Sequence, residues 1–138
     1  MDMSQVITCK TVPGRMRMRH VDKLFGINFP MRLEPVVYSF ADKLCSEYKG
    51  GYWDFFELSN GGFYMAPQSD NRFHLSSPNG FVCELSADST GLVCCLFCFS
   101  MLSFEGDEFA ELCAEHYHLL REYAFSHPES AAIFQAID

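Results

Sequence analysis

The sequence predicts an α+β fold: a compact single domain, residues 1–138, with a mostly antiparallel sheet and a central hairpin packed against about three to four helices. Three observations predict it. Strand-like and helix-like stretches come in separate runs joined by hairpin connections, without the βαβ alternation of a parallel sheet. Two aromatic-rich half-strands flank Asn60-Gly61-Gly62, the signature of a hairpin closed by a tight turn. The longest apolar run, Leu92–Leu102, has eleven residues including one serine, against the roughly twenty of a membrane span, so it is a core element.

Thr8–Val12 reads as a first strand, ended by Pro13-Gly14. Arg15–His20 alternates cation and methionine, the period of a half-buried strand. Phe25-Gly26 and Phe29-Pro30 read as loop punctuation. Pro35 sits where a helix accepts its first residue, and Val37, Phe40, Ala41, Leu44 and Tyr48 fall on one face. This predicts a helix over Glu34–Tyr48 that stops at Gly50-Gly51. The hairpin strands follow at Tyr52–Leu58 and Phe63–Ala66. A two-residue type I′ loop at Asn60-Gly61, whose residues tolerate positive φ, would set Leu58 opposite Phe63 and Phe56 opposite Met65. Phe73–Ser76 and Phe81–Leu85 form a second strand pair around Ser77-Pro78-Asn79-Gly80. Ser86 is a good N-cap, with Asp88 in the first turn of a helix that runs to about Leu102 and is apolar on every side after Gly91. Asp107 caps a further helix to about Ser126, His127-Pro128 breaks it, and a last short helix spans Glu129–Ile137.

Hydrophobic residues make up 49% and aromatic residues 15%, a folding-competent composition outside the disordered class. Met1–Lys10 lacks the basic start and long apolar stretch of a secretory leader. Seven cysteines without such a leader point to free thiols in a reducing compartment, so a cytoplasmic protein is expected. The net charge of −8 is uneven. Residues 1–49 hold eight Lys/Arg against five Asp/Glu, giving +3; residues 50–138 hold two against thirteen, giving −11. Such asymmetry marks either a binding face for a charged partner or the scatter of an acidic soluble protein.

Cys95-x2-Cys98 followed by Cys113-x2-His116 has the spacing of a three-Cys, one-His zinc site. Yet VCCLFCFSML has none of the glycine or polar residues of a zinc-binding turn, and buried cysteine is a common small hydrophobe. No metal or other cofactor is expected. Cys113 and His116 have the types of a nucleophile and its base, but no nucleophile elbow, His-Glu-x-x-His or paired carboxylates accompany them. Neither Gly50-Gly51 nor Gly61-Gly62 leads into a helix as a phosphate loop would. An enzyme, and with it a small-molecule substrate, is not expected. Glu108, Glu111, Glu115 and Glu122 line up within about 80° on one side of their helix, opposite the stripe Phe109, Cys113, His116 and Leu120. They are either a solvated face of good helix formers or an acidic docking surface for a basic partner. Arg15, Arg17, Arg19 and Lys23 form the basic counterpart, and a pI near 5.0 argues against stable nucleic-acid binding.

The string GGYWDFFELSNGGFYMAP at 50–67 resembles the ArdB/KlcA antirestriction family, as do Leu33-Glu34-Pro35, Leu44-Cys45, Tyr48, Ser86–Leu96 and the ending REYAFSHPESAAIFQAID at 121–138. The resemblance runs from about Phe25 to the C-terminus; RMRMR and the cysteines at 94, 95 and 98 stand outside it. It implies a compact α+β antirestriction protein of plasmids and genomic islands that inhibits DNA cleavage by type I restriction-modification enzymes while sparing modification. Incoming plasmid or mobile-element DNA would benefit. The implied partner is the type I enzyme or its DNA complex, reached directly or through a host factor, with no membrane involved. The family supplies no catalytic set. Asp54, Ser59, Asn60, Gly61 and Gly62 in the signature, and the terminal Asp138, are candidate interaction residues beside the four glutamates, although the turn can equally exist only to close the hairpin. DNA mimicry is not expected on charge. A domain of this length is about 37 Å across, over which duplex DNA carries roughly 22 negative charges, whereas the chain has eighteen carboxylates offset by ten cations. Two other classes stay open: a nucleic-acid-binding module built on Arg15–Lys23, and a zinc or thiol protein built on Cys95, Cys98, Cys113 and His116.

Overall fold

The computed structural model describes residues 6–138; the first half of the Met1–Lys10 stretch read above lies outside them. Strands β1 (Cys9–Thr11), β2 (Trp53–Leu58) and β3 (Phe63–Pro67) form one antiparallel sheet in the order β1-β2-β3, and β4 (Arg72–Ser76) and β5 (Val82–Ser86) form a second. Among the described residues five α-helices accompany them: α1 (Arg17–Phe25), α2 (Glu34–Leu44), α3 (Ala87–Leu102), α4 (Glu108–Ala124) and α5 (Ser130–Ile137). The α+β class, the antiparallel pairing and the central hairpin hold. The sheet is divided in two, and there is one helix more than expected.

That extra helix replaces the strand read at Arg15–His20. Gly14–Met16 forms a single 3-10 turn and α1 follows from Arg17. The cation–methionine alternation suited a period of two, but Val21 and Phe25, four residues apart, are the positions that bury, and they set a helical period. Arg17 shows why the alternation misled. Its guanidinium lies 3.7 Å from the Phe55 ring centroid and 4.6 Å from that of Tyr52, and it donates to Trp53 O at 2.7 Å. Met18, by contrast, is 77% exposed. The expected loop at Phe25–Pro30 is also helical in part. Gly26, at φ 59°, ends α1, and Phe29–Leu33 forms a wide turn in which Glu34 N–H donates to Phe29 O. That five-residue step leads into α2 with Pro30 and Pro35 each near the start of its segment, where a missing N–H costs little. Helix α2 ends at Leu44, four residues before the expected Tyr48. Tyr48 instead accepts a bond from Trp53 Nε1 at 3.1 Å and packs edge-on against its ring.

The β2–β3 register differs from expectation by one residue. Phe56 stands opposite Tyr64, and Glu57 opposite Phe63. No described non-glycine residue has positive φ, so Asn60 cannot take a type I′ turn, while Gly61 sits at φ 94°. Gly61 N–H donates to Leu58 O at 2.9 Å and Leu58 N–H to Gly62 O at 3.0 Å. The loop is therefore the three residues Ser59-Asn60-Gly61, a turn closed by one left-handed glycine.

Helix α3 is the centre of the molecule, packed against β3, α4, α2 and α5 and buried on every side. Ser86 caps it as expected, accepting from Ser89 N–H at 3.1 Å. Gly91 lies against β3 so closely that a Cβ there would stand 2.4 Å from Ala66 Cα and Met65 O. This approach lets Cys95 satisfy the outer edge of β3: Met65 N–H donates to Cys95 Sγ at 3.4 Å, and the thiol donates to Met65 O at 3.6 Å.

Candidate functional site

The β2–β3 tip presents three shallow grooves. One of 460 Å³ runs between Val6, Ser59, Asn60, Glu122, Phe125 and Ser126; the other two share Glu57, Leu58 and Gly61. Asn60 itself turns inward. Its Nδ2 donates to Leu119 O at 2.9 Å and to Glu122 Oε1 at 3.1 Å, while its Oδ1 accepts from Gly62 N–H at 2.9 Å. Ser59 and Gly61 are exposed, Gly62 is buried against Leu119, and Ser59 Oγ accepts from Thr8 N–H at 2.8 Å. The structure thus brings Ser59–Gly62 and Glu122 together, beside Phe125 at 61% exposure.

It does not gather the other candidates there. Asp54 lies at the opposite end of β2, about 17 Å of strand from Ser59, and accepts from Gln68 Nε2 at 3.3 Å. Glu108, Glu111 and Glu115 are exposed along α4. Asp138 lies at the second hairpin, where its backbone oxygen accepts from Asn79 Nδ2 at 2.9 Å.

The zinc-spaced residues are dispersed into packing roles. Cys95 is held by Met65, Cys98 donates to Leu33 O at 3.6 Å, and His116 is buried between Phe25 and Phe99 at ring distances of 4.8 and 5.5 Å. Burial pushes the Cys95 and Cys113 thiols up to about 12 and the Cys98 thiol up as well, and it lowers His116. Thiolate chemistry is therefore disfavoured at all three cysteines. Among the described residues no group of three or more His, Cys, Asp or Glu is placed to hold a metal ion. No described helix is long and apolar enough to cross a membrane.

One polar constellation escaped the sequence reading. Tyr64 O–H donates to Asp88 Oδ1 at 2.7 Å. His127 Nδ1 accepts from Glu129 N–H at 3.0 Å, which leaves Nε2 as the N–H that donates to Asp88 Oδ2 at 2.7 Å. The Glu129 carboxylate accepts from Ser86 Oγ at 2.6 Å, from Ser89 Oγ and from Arg72 Nη2 at 2.8 Å. Partial burial opposes its charge, but these donors together hold its pKa down at about 2. With both ring nitrogens of His127 engaged, the set fastens segments together and offers no free base. It joins residues 50–67, 86–96 and 121–138, three of the stretches that carry the resemblance. The legible signal was the pair His127 and Glu129 flanking Pro128 at a helix break.

Comparisons with known proteins complete the description. The profile of a family described as Antirestriction protein matches residues 46–138. Antirestriction protein KlcA of Escherichia coli is 41% identical over 137 residues, covering 97% of this chain and 96% of that one. The uncharacterized protein YfjX of Escherichia coli K12 is 40% identical over 131 residues, covering 92% and 85%. A solved structure from work on KlcA and ArdB, which reports a novel fold and antirestriction activity against type I DNA restriction systems in vivo but not in vitro, is 39% identical with a TM-score of 0.91 over 100% of both chains.

Proposed function

The chain belongs to the ArdB/KlcA antirestriction family, and from that membership we propose that it relieves type I restriction inside the cell, preventing cleavage of unmodified incoming DNA while leaving modification intact. The likeness over the full chain, in sequence and in fold, carries this reading. The activity of KlcA and ArdB in vivo but not in vitro favours a route that needs something the cell supplies. A host factor fits that requirement better than direct occlusion of an enzyme at rest, and a translocating enzyme–DNA complex is the second route.

Mimicry of DNA is disfavoured by the charge layout. From Glu108 to Glu122 the acidic strip of α4 spans about 21 Å, a length over which duplex DNA carries about 12 charges; the strip has four, and Glu122 is engaged by Asn60. The contact surface we favour is the β2–β3 tip, with exposed Ser59 and Gly61 at its crest and Asn60 holding it to α4. The test is plating of unmodified phage on cells with a type I system, with and without this protein, together with a methylation assay on the surviving phage. Recovery by orders of magnitude with methylation intact is expected. No recovery from soluble, folded protein would contradict the proposal.

A further inference from the structure

We propose that the α1 face bearing Arg15, Arg19 and Lys23 is a contact for the phosphate backbone of duplex nucleic acid, a property beyond the antirestriction reading and independent of it. Arg15 lies in the turn before α1, and Arg19 and Lys23 follow at four-residue steps, so the three cations rise along one side of the helix over about 12 Å. All three are exposed, and none takes part in an ion pair among the described residues. Arg17 is excluded from the set because it is held on Phe55, Tyr52 and Trp53 O.

Arg19, His20 and Lys23 border a groove of 310 Å³ whose far wall includes Val12, Pro13 and Glu57. His20 Nε2 is buried without a hydrogen-bond partner among the described residues and out of reach of a docked phosphate, so the contact rests on the three exposed cations. Two carboxylates are nearby. Glu57 is paired with Lys10 at 3.8 Å, which offsets its charge, and Asp22 is exposed on α1 itself.

Duplex DNA suits this face better than the other polyanions. Its phosphates fall at one per 1.7 Å of axis, so about 12 Å offers roughly seven in any register. Apart from the half-buried His20 imidazole no aromatic side chain lines the groove, so it offers no run of stacking platforms for the successive bases of a single strand. An acidic peptide presents its carboxylates at no fixed interval, whereas the phosphates of a duplex recur regularly along its axis. The −11 carried by residues 50–138 repels DNA from the rest of the surface and leaves this face as the approach.

The experiment is fluorescence anisotropy of a short labelled duplex with the purified protein. Three phosphate contacts give a log–log salt slope of about −2.7, so binding should weaken about 40-fold between about 50 and 200 mM salt. Arg15→Gln/Arg19→Gln/Lys23→Gln should abolish it with an unchanged circular dichroism spectrum, and Lys23→Gln alone should reduce the slope by about 0.9. Lys43→Gln/Lys49→Gln, which removes two exposed cations elsewhere, should leave it unchanged. No binding at about 50 mM salt, equal loss in the control pair, or displacement by polyglutamate as readily as by unlabelled duplex would each overturn the proposal. None of these readouts depends on restriction, so failure here leaves the antirestriction reading to its own plating test.

Discussion

At the tip of the β2–β3 hairpin, Gly61 N–H donates to Leu58 O and Gly62 N–H to Asn60 Oδ1; at the tip of β4–β5, Gly80 N–H donates to Ser77 O and Phe81 N–H to Asn79 Oδ1. Both central glycines have positive φ, 94° and 91°. Both asparagine amides then reach to a helix: Asn60 to Leu119 O within α4, Asn79 to Gln135 O and Asp138 O at the end of α5. The surroundings differ. The β2–β3 hairpin is flanked by β1 and α3 and buries five consecutive residues from Gly62 to Ala66. The β4–β5 hairpin is a two-stranded sheet in which β4 alternates exposed and buried. The same Asn-Gly chemistry therefore closes both turns and clamps both helices, and the difference in cost of losing it comes from what the strands bury.

Four changes test this comparison, one pair at the packing of the two hairpins and one pair at their asparagines. Gly91→Ala should destabilise the protein by about 3 kcal/mol in chemical denaturation, because α3 and β3 must separate to admit the methyl group. Val82→Ala on the other hairpin, at a side chain 65% exposed, should change stability by less than about 0.5 kcal/mol. Asn60→Ala should cost about 2 kcal/mol and Asn79→Ala about 1 kcal/mol, since half-buried partners are left unpaired in the first case and exposed ones in the second. Equal losses would show that burial does not set the difference.

The second hairpin has its own electrostatic anchor in Glu129, tied to Ser86 of β5 and to Arg72 of β4. Its folded pKa of about 2 lies below the ordinary carboxylate value of 4.5, so its stabilisation is complete above the ordinary value and disappears as pH falls from there through about 2. Glu129→Gln should be less stable at neutral pH and should lose less on acidification across that window, read by thermal melts at several pH values. A variant that loses as much as the native protein on acidification would contradict the assignment. The smallest effect is expected at the acidic strip. Glu108→Gln/Glu111→Gln/Glu115→Gln should leave restriction relief unchanged in the plating assay, and loss of relief would restore the docking reading of that face.

Much of this molecule was legible in the sequence because local chemistry fixed it. Ser86 and Asp107 announced helix starts, His127-Pro128 a helix break, and Asn-Gly two hairpins. The misreadings arose where tertiary contacts outweighed local pattern. Arg17 chose a cation–π stack over solvent, which hid a helix inside an alternating motif, and a single extra loop residue at Ser59-Asn60-Gly61 shifted the register of β2–β3. Of the candidate site, the tip and Glu122 converge, but no pattern in the sequence could reveal that the Asn60 amide faces α4 or that Tyr64, Asp88 and His127 meet, because each of these contacts spans 24 or more residues.

The most direct test of the central claim, that the β2–β3 tip is the functional one of the two, compares Ser59→Arg with Pro78→Arg in phage plating on a type I restricting host. Both positions are exposed at the crest of their turns. The account predicts that Ser59→Arg loses restriction relief while remaining folded and soluble, and that Pro78→Arg retains it. Full relief from a folded Ser59→Arg protein, or equal loss from both, would contradict it.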